Sequence, residues 1–363
     1  MKVSALLLIG LLTACTSAPQ QVASAPAQVK STEVRKTQLP VASVELDWFD
    51  PSRQRPVKVT VWYPVGEQCQ AKPAQAKAQL CLHPSTDVTQ SAMFSHGAMG
   101  AAKGYRWIGE LLAAQGIVTV GLNHYGESWI YGPEHVNHRT VLQFGLRPQD
   151  ARFVLDQLEL RQQDAAAPLL SQPVNWQNLT AVGHSSGAAT MLALAGAHYE
   201  LTKAPVYCKT EAAALDRSCG YLPSKAVLAK VAVAAGQDYQ DARVKRLIAL
   251  DPAMGHLVDA ASLARITTPV LVVGSVQNDF LPYAVHAGFY ARQLGHADRI
   301  ELTQGEGHFV YLDSCRHQHQ ALGVPLCQDR SGVNRAQVQQ QLAPQLLAFV
   351  LNEGGQSQRR KSE

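Results

Sequence analysis

Charge is scarce in this chain. Only 17% of its 363 residues are Asp, Glu, Lys or Arg, and the formal balance is +4. A nucleic-acid footprint needs Lys and Arg clustered on one face. The basic run here, Arg359-Arg360-Lys361, lies in the C-terminal tail and reads as a solvated end. No nucleic-acid partner is expected. Cysteine pairs at C-x-x-C spacing are missing too, which removes the commonest signature of a structural zinc site. No internal repeat is visible, so a solenoid or propeller is excluded, and nothing resembles a dedicated peptide-binding domain. With 46% hydrophobic residues, the chain can bury one large core or two modest ones.

What is present begins at the N-terminus. Met1-Lys2-Val3 is a short positive region, and Ser4 to Leu12 is apolar but too short to span a bilayer. Leu12-Thr13-Ala14-Cys15 looks like the lipobox of bacterial lipoproteins, whose cysteine is lipidated and becomes the first mature residue. The expectation is a signal peptide over 1–14, a lipid anchor on Cys15, and a flexible Ala/Gln/Ser/Pro tether over 15–40. Thr16 in place of Asp resembles outer-membrane lipoproteins, so the protein is expected to be exported and anchored to the outer membrane, facing the periplasm; the alternative is an ordinary cleaved secretory signal with Cys15 incidental, which gives a periplasmic protein. Residues 353–363 are expected to be a disordered tail.

Six further cysteines fall into close pairs: Cys69 with Cys81, Cys208 with Cys219, Cys315 with Cys327. Nearest-neighbour disulfides are the simplest of the possible connectivities in an oxidising compartment. Each closed loop would contribute about 3 kcal/mol in the chain-entropy account. No metal is expected: His317 and His319 beside Cys315 read as an exposed polar loop.

From Val41 onward the pattern is that of packed secondary structure. Val44 to Trp48 and Val57 to Tyr63 alternate with period two around the turn Pro51-Ser52-Arg53, which predicts an antiparallel hairpin. Strands then alternate with helices: Ser91 to Phe94, a helix over Tyr105 to Gln115, Ile117 to Leu122, and a helix opened by Arg147-Pro148-Gln149-Asp150. Leu179 to Val182, Val244 to Leu250, Val270 to Val273 and Arg299 to Leu302 complete the strands, and a last helix runs from Ala336 to Leu351. Such a rhythm predicts an α/β fold over 41–352, with a mostly parallel central sheet flanked by helices. Residues 200–242 break the rhythm and are expected to form an insertion above the sheet. Arg147 and Asp150, one helical turn apart, are expected to pair with each other.

The chain's chemistry centres on Gly183-His184-Ser185-Ser186-Gly187. A strand precedes it and a run of small residues follows, the strand–turn–helix context of a G-x-S-x-G nucleophile elbow. Serine needs a base, and the base needs an acid to fix its tautomer. His308, in the loop Gly305-Glu306-Gly307-His308 after the last strand, is the candidate base. Asp279 is the first choice for the acid, with Asp251 as the alternative. The backbone N–H groups of Ala98 and Ser186 are the candidate oxyanion hole, and His96 and His184 are expected to be supporting residues. Tyr125, Trp129 and Tyr131, with the insertion, are candidates to shape a substrate pocket.

Several segments in order carry a family resemblance: Asp50-Pro51-Ser52-Arg53, Val61-Trp62-Tyr63-Pro64, Ser95-His96-Gly97, Arg147-Pro148 with Asp150, the 183–187 elbow, Leu250-Asp251-Pro252 and Gly307-His308-Phe309. Over residues 42–350 the chain resembles the α/β-hydrolase group that joins platelet-activating-factor acetylhydrolases and bacterial proteins related to dienelactone hydrolases. Dienelactone hydrolases proper have a cysteine where this chain has Ser185. By resemblance to the acetylhydrolase branch the acid would be Asp251; by resemblance to polyester- and cutinase-like relatives it would be near Asp279.

The resulting expectation is a cofactor-free, monomeric serine hydrolase that cleaves carboxylic esters through an acyl-enzyme. Its partners would be a small ester or lipid substrate and the membrane that its anchor enters. The alternatives are a phospholipid acyl hydrolase of the acetylhydrolase type and a non-catalytic envelope binding protein on a hydrolase scaffold.

Overall fold

The alternating segments after Val41 form the hairpin that opens the sheet. A computed structural model describes residues 38–67, 79–137, 143–164, 166–222, 224–316 and 319–351. The expectations for the signal peptide, Cys15, Cys69, His317 and the C-terminal tail lie outside those residues, as does most of the tether. Strands β1 (Val41–Asp50) and β2 (Arg55–Pro64) pair antiparallel, with Val44 opposite Val61. β2 turns Val57, Val59 and Val61 into the core, while β1 alternates between half-buried and exposed positions at the edge.

β2 lies antiparallel beside β4 (Thr119–Asn123), and from there the sheet is parallel. β3 (Ser91–Ser95), β5 (Leu179–His184), β6 (Val244–Leu250), β7 (Val270–Ser275) and β8 (Asp298–Leu302) give the order β1-β2-β4-β3-β5-β6-β7-β8. Both faces are covered, so the inner strands read as continuous apolar runs. Neighbouring residues on a strand point to opposite faces. Met93, Ala181 and Leu247 therefore enter the layer containing α2 (Leu146–Gln163), α3 (Ser186–Leu194), α6 (Ala260–Ala264) and α7 (Ala287–Gln293). Phe94, Val182 and Ile248 enter the layer containing α1 (Arg106–Ala114) and α8 (Arg335–Val350).

Between α3 and β6 the chain leaves the sheet. This excursion carries the short helix α4 (Ala204–Tyr207), several single turns and α5 (Lys225–Ala235). A disulfide joins Cys208 to Cys219 within it, and a second joins Cys315 to Cys327. Disulfides of this kind belong to extracellular or periplasmic proteins. Among the described residues no helix is long and apolar enough to cross a membrane.

Parallel strands carry their ligand-facing loops at their C-terminal ends. Here these ends bring together the loop after Ser95, the turn at Ser185, Asp251, the segment after Ser275 and the loop ending at His308.

Candidate active site

Ser185 sits at the tip of the turn between β5 and α3, with φ 56° and ψ −121°. A non-glycine residue in this region is strained, and the surroundings must hold it there. Its N–H donates to the Leu250 carbonyl (3.0 Å), and its carbonyl accepts the N–H groups of Ala189 and Ala253 (both 3.1 Å). The flanking glycines are needed for close approach. A Cβ on Gly183 would lie 2.4 Å from the Gly187 carbonyl, and one on Gly187 would lie 2.0 Å from the Ser95 carbonyl oxygen.

Ser185 opens into a largely apolar cavity, part of it open to solvent. Ala98 and Ser186 line its floor beside the serine. The excursion after α3 supplies one wall through Leu201, Ala204, Leu222, Leu228 and the Cys208–Cys219 disulfide, while Phe280 and Leu281 line the other side. Tyr125, Trp129 and Tyr131 do not line it. Tyr131 takes the Lys58 N–H (2.6 Å) and bonds the Asn123 carbonyl (2.8 Å), Tyr125 packs edge-on against Tyr131, and Trp129 is exposed. These aromatics tie a loop to the sheet edge.

The two acids suggested by the sequence divide their contacts. Asp279 accepts the backbone N–H of His308 (2.9 Å), and Gly307 admits it, since a Cβ there would be 2.8 Å from its carboxylate. Asp251 is the acid on the ring side, with its Oδ2 3.8 Å from His308 Nδ1. Ser275 orients that carboxylate through its N–H and hydroxyl, both at 2.8 Å. Burial raises the Asp251 pKa to about 6, although the Ser275 bonds pull against the rise. Burial likewise lowers the His308 pKa to about 3, with the Asp279 charge opposing it. The imidazole is therefore neutral at pH 7, stacked flat against Phe280. Asn278 accepts the Phe280 and Leu281 N–H groups on its Oδ1, which turns its amide nitrogen toward His308 Nδ1 at 3.2 Å.

His184 and His96 are both fully buried. His184 Nε2 donates to the His308 carbonyl (3.0 Å), which fixes the tautomer and leaves Nδ1 to accept from the Tyr105 hydroxyl (2.7 Å). Tyr105 in turn accepts the Gly97 N–H (3.3 Å). One chain of bonds thus links the loop before Ala98, the residue before Ser185, and the His308 loop. His96 Nδ1 donates to the Gly97 carbonyl (2.7 Å), and its Nε2 accepts the His124 N–H (3.1 Å).

Arg147 and Asp150 do not pair with each other. Arg147 forms a buried pair with Glu127 (2.6 Å) and donates to the carbonyls of His96 (2.9 Å) and Gly97 (3.5 Å). Asp150 takes Arg53 (2.7 Å), Arg55 (2.8 Å) and His124 (3.0 Å). Positions three apart on a helix can touch, but each of these side chains finds a partner on a neighbouring loop instead. Glu127 and Tyr105 carry no motif, and sequence reasoning missed both.

No family model matches the sequence, and no curated protein matches it. Among solved structures, a ferulic acid esterase from Streptomyces cinnamoneus is similar, with a TM-score of 0.50. The alignment covers 90% of this chain and 91% of that one at 18% identity. The fold is that of the α/β-hydrolases. In α/β-hydrolases the serine of a G-x-S-x-G turn stands at the top of the sheet, with acid and histidine following in chain order. Ser185, Asp251 or Asp279, and His308 have that order here.

Proposed function

We propose that the protein is a serine hydrolase of carboxylic esters, with Ser185 as nucleophile, His308 as base and Asp251 as the acid. The strained Ser185 turn, opening with Ala98 and Ser186 into an apolar cavity, carries this reading. Asp251 is preferred to Asp279 because its carboxylate faces the imidazole ring, whereas Asp279 is engaged by the backbone of residue 308.

In the resting geometry the Asn278 amide donates to His308 Nδ1. When the Nδ1–Asp251 separation closes to about 2.8 Å, the Asn278 amide gives way, the ring proton passes from Nε2 to Nδ1 by exchange with solvent, and Nε2 is left with its lone pair free. Nε2 then accepts the Ser185 proton as its oxygen attacks the acyl carbon. The tetrahedral oxyanion takes the N–H groups of Ala98 and Ser186. Collapse expels the alkoxide, which leaves as alcohol with the proton from His308. Water, deprotonated by the same imidazole, then attacks the acyl-enzyme and releases the acid. The apolar walls favour an acyl or alcohol group with hydrocarbon or aromatic character.

A fluorophosphonate probe tests the assignment. Wild-type protein is expected to label at Ser185 and to turn over short p-nitrophenyl esters, with both lost in Ser185→Ala. An unlabelled wild type would make the chain a binding protein on a hydrolase scaffold. Faster turnover of short-chain phospholipids than of the p-nitrophenyl esters would select the phospholipid acyl hydrolase, the reading that lipidation of Cys15 favours.

A further inference from the structure

A second group of chemistry-bearing side chains lies beside the cavity, where the excursion meets the body. Asp216, His256 and His286 bring one carboxylate oxygen and two imidazole nitrogens within 4.8 Å of one another. Asp216 Oδ2 is 2.7 Å from His286 Nε2 and 3.9 Å from His256 Nδ1. All three side chains are more than nine-tenths buried.

Two observations set this group apart from an ordinary buried hydrogen-bond cluster. His256 Nδ1 is buried without a hydrogen-bond partner, a costly condition in a protein interior. Asp216 Oδ2 accepts from the Tyr207 hydroxyl (2.8 Å), and its Oδ1 accepts from the Ser218 N–H (2.9 Å) and hydroxyl (2.6 Å). Among the described residues its ion-pair partners are these two histidines, with no lysine or arginine. A buried carboxylate thus stands beside an imidazole nitrogen that has no hydrogen-bond partner, and no permanent cation is paired with it.

We propose that Asp216, His256 and His286 form a binding site for a divalent transition cation of the zinc class. Two imidazoles and a carboxylate suit such an ion better than calcium or magnesium, which prefer oxygen ligands alone. A tetrahedral ion with bonds of about 2.0–2.1 Å needs ligand atoms roughly 3.3 Å apart, and the two separations from Asp216 Oδ2 bracket that value. Binding shifts the ring proton of His286 from Nε2 to Nδ1 by exchange with solvent, which gives up the long Gly255 N–H contact (3.3 Å), and places the lone pairs of His256 Nδ1 and His286 Nε2 with Asp216 Oδ2 on the metal. One support is already built: Tyr207 bonds Asp216 and stacks on the His256 ring. Because Asp216 belongs to the excursion and the histidines to the body, the ion would pin the cavity wall to the sheet.

The test uses full-length, untagged protein titrated with Co2+ and Zn2+. The expected result is one ion per chain by calorimetry, a tetrahedral Co2+ absorption band, and an X-ray absorption signature of two imidazoles on bound Zn2+. His256→Phe keeps the ring on Tyr207 without a ligating nitrogen, and should weaken binding by at least about 100-fold, the upper end for loss of even an outer partner. Absence of one-to-one binding to the wild type, an oxygen-only zinc shell, or unchanged affinity in a folded His256→Phe protein would each overturn the site. Should that variant not fold, the wild-type titration and absorption signature decide alone. None of these readouts depends on Ser185 or on ester turnover.

Discussion

Two buried carboxylates, one on each side of β5, have opposite surroundings. Asp150, under the antiparallel edge, meets Arg53, Arg55 and His124, and these outweigh burial to hold its pKa below the carboxylate range. Nearby Glu127 is held down in the same way by Arg147. Asp251, under the other half of the sheet, meets Ser275, Asn278, Tyr311 and neutral imidazoles, with no lysine or arginine paired to it among the described residues, and its pKa rises to about 6. Fully paired charge makes a fixed support, here for the 95–98 loop. At Asp251 the lack of a permanent cation leaves a group that titrates near the working pH and can answer a proton arriving on its neighbour.

The comparison breaks most completely at Asp251. Asp251→Asn is expected to lower kcat about 10^4-fold, as removal of a triad acid does, measured with a p-nitrophenyl ester; a loss under tenfold would reject Asp251 as the acid. On the paired side the large effect falls on stability. Glu127→Gln leaves the Arg147 guanidinium buried without its anion, at a cost of about 3–5 kcal/mol, to be read from urea denaturation midpoints.

Acid separates the two sides within one experiment. Below pH 6 Asp251 gains a proton and loses the charge that stabilises the imidazolium, so kcat/KM should fall about tenfold per pH unit. Asp150 and Glu127 have depressed values, so their contribution to stability is complete above the unfolded carboxylate pKa of about 4 and fades only as pH drops toward their folded values. At pH 5 the protein should be folded by circular dichroism yet slow. Simultaneous loss of fold and rate would remove the distinction. The smallest effect is expected at Asp279→Asn, where the amide oxygen still accepts the His308 N–H: a change in kcat of less than about tenfold, by the same assay.

The elbow was legible in the sequence because its geometry needs particular residue types. Gly183 and Gly187 are required by backbone contacts that no side chain could share, and a strand, a turn and a helix surround them. Most strands were legible for a similar reason: burial on both faces imposes continuous apolar runs. Pairings between loops left no local trace. Arg147 meets Glu127 across a turn, and the acid facing His308 depends on how two strand ends are placed in space, which spacing along the chain does not encode. The Asp216, His256 and His286 group escaped for the same reason, since its members come from three separate segments. Tyr125, Trp129 and Tyr131 looked like a pocket because aromatics near a strand end suit one equally well as packing.

Both sulfurs of the Cys208–Cys219 bridge belong to residues that border the cavity of Ser185. The border of that cavity is therefore closed by a covalent bond that forms only where an oxidant is available. A chain still in reducing surroundings can already have the Ser185 turn, which rests on glycines and backbone bonds, but the wall beside it is unfinished. The shape of this space is in that sense completed after synthesis, where the bridge can form.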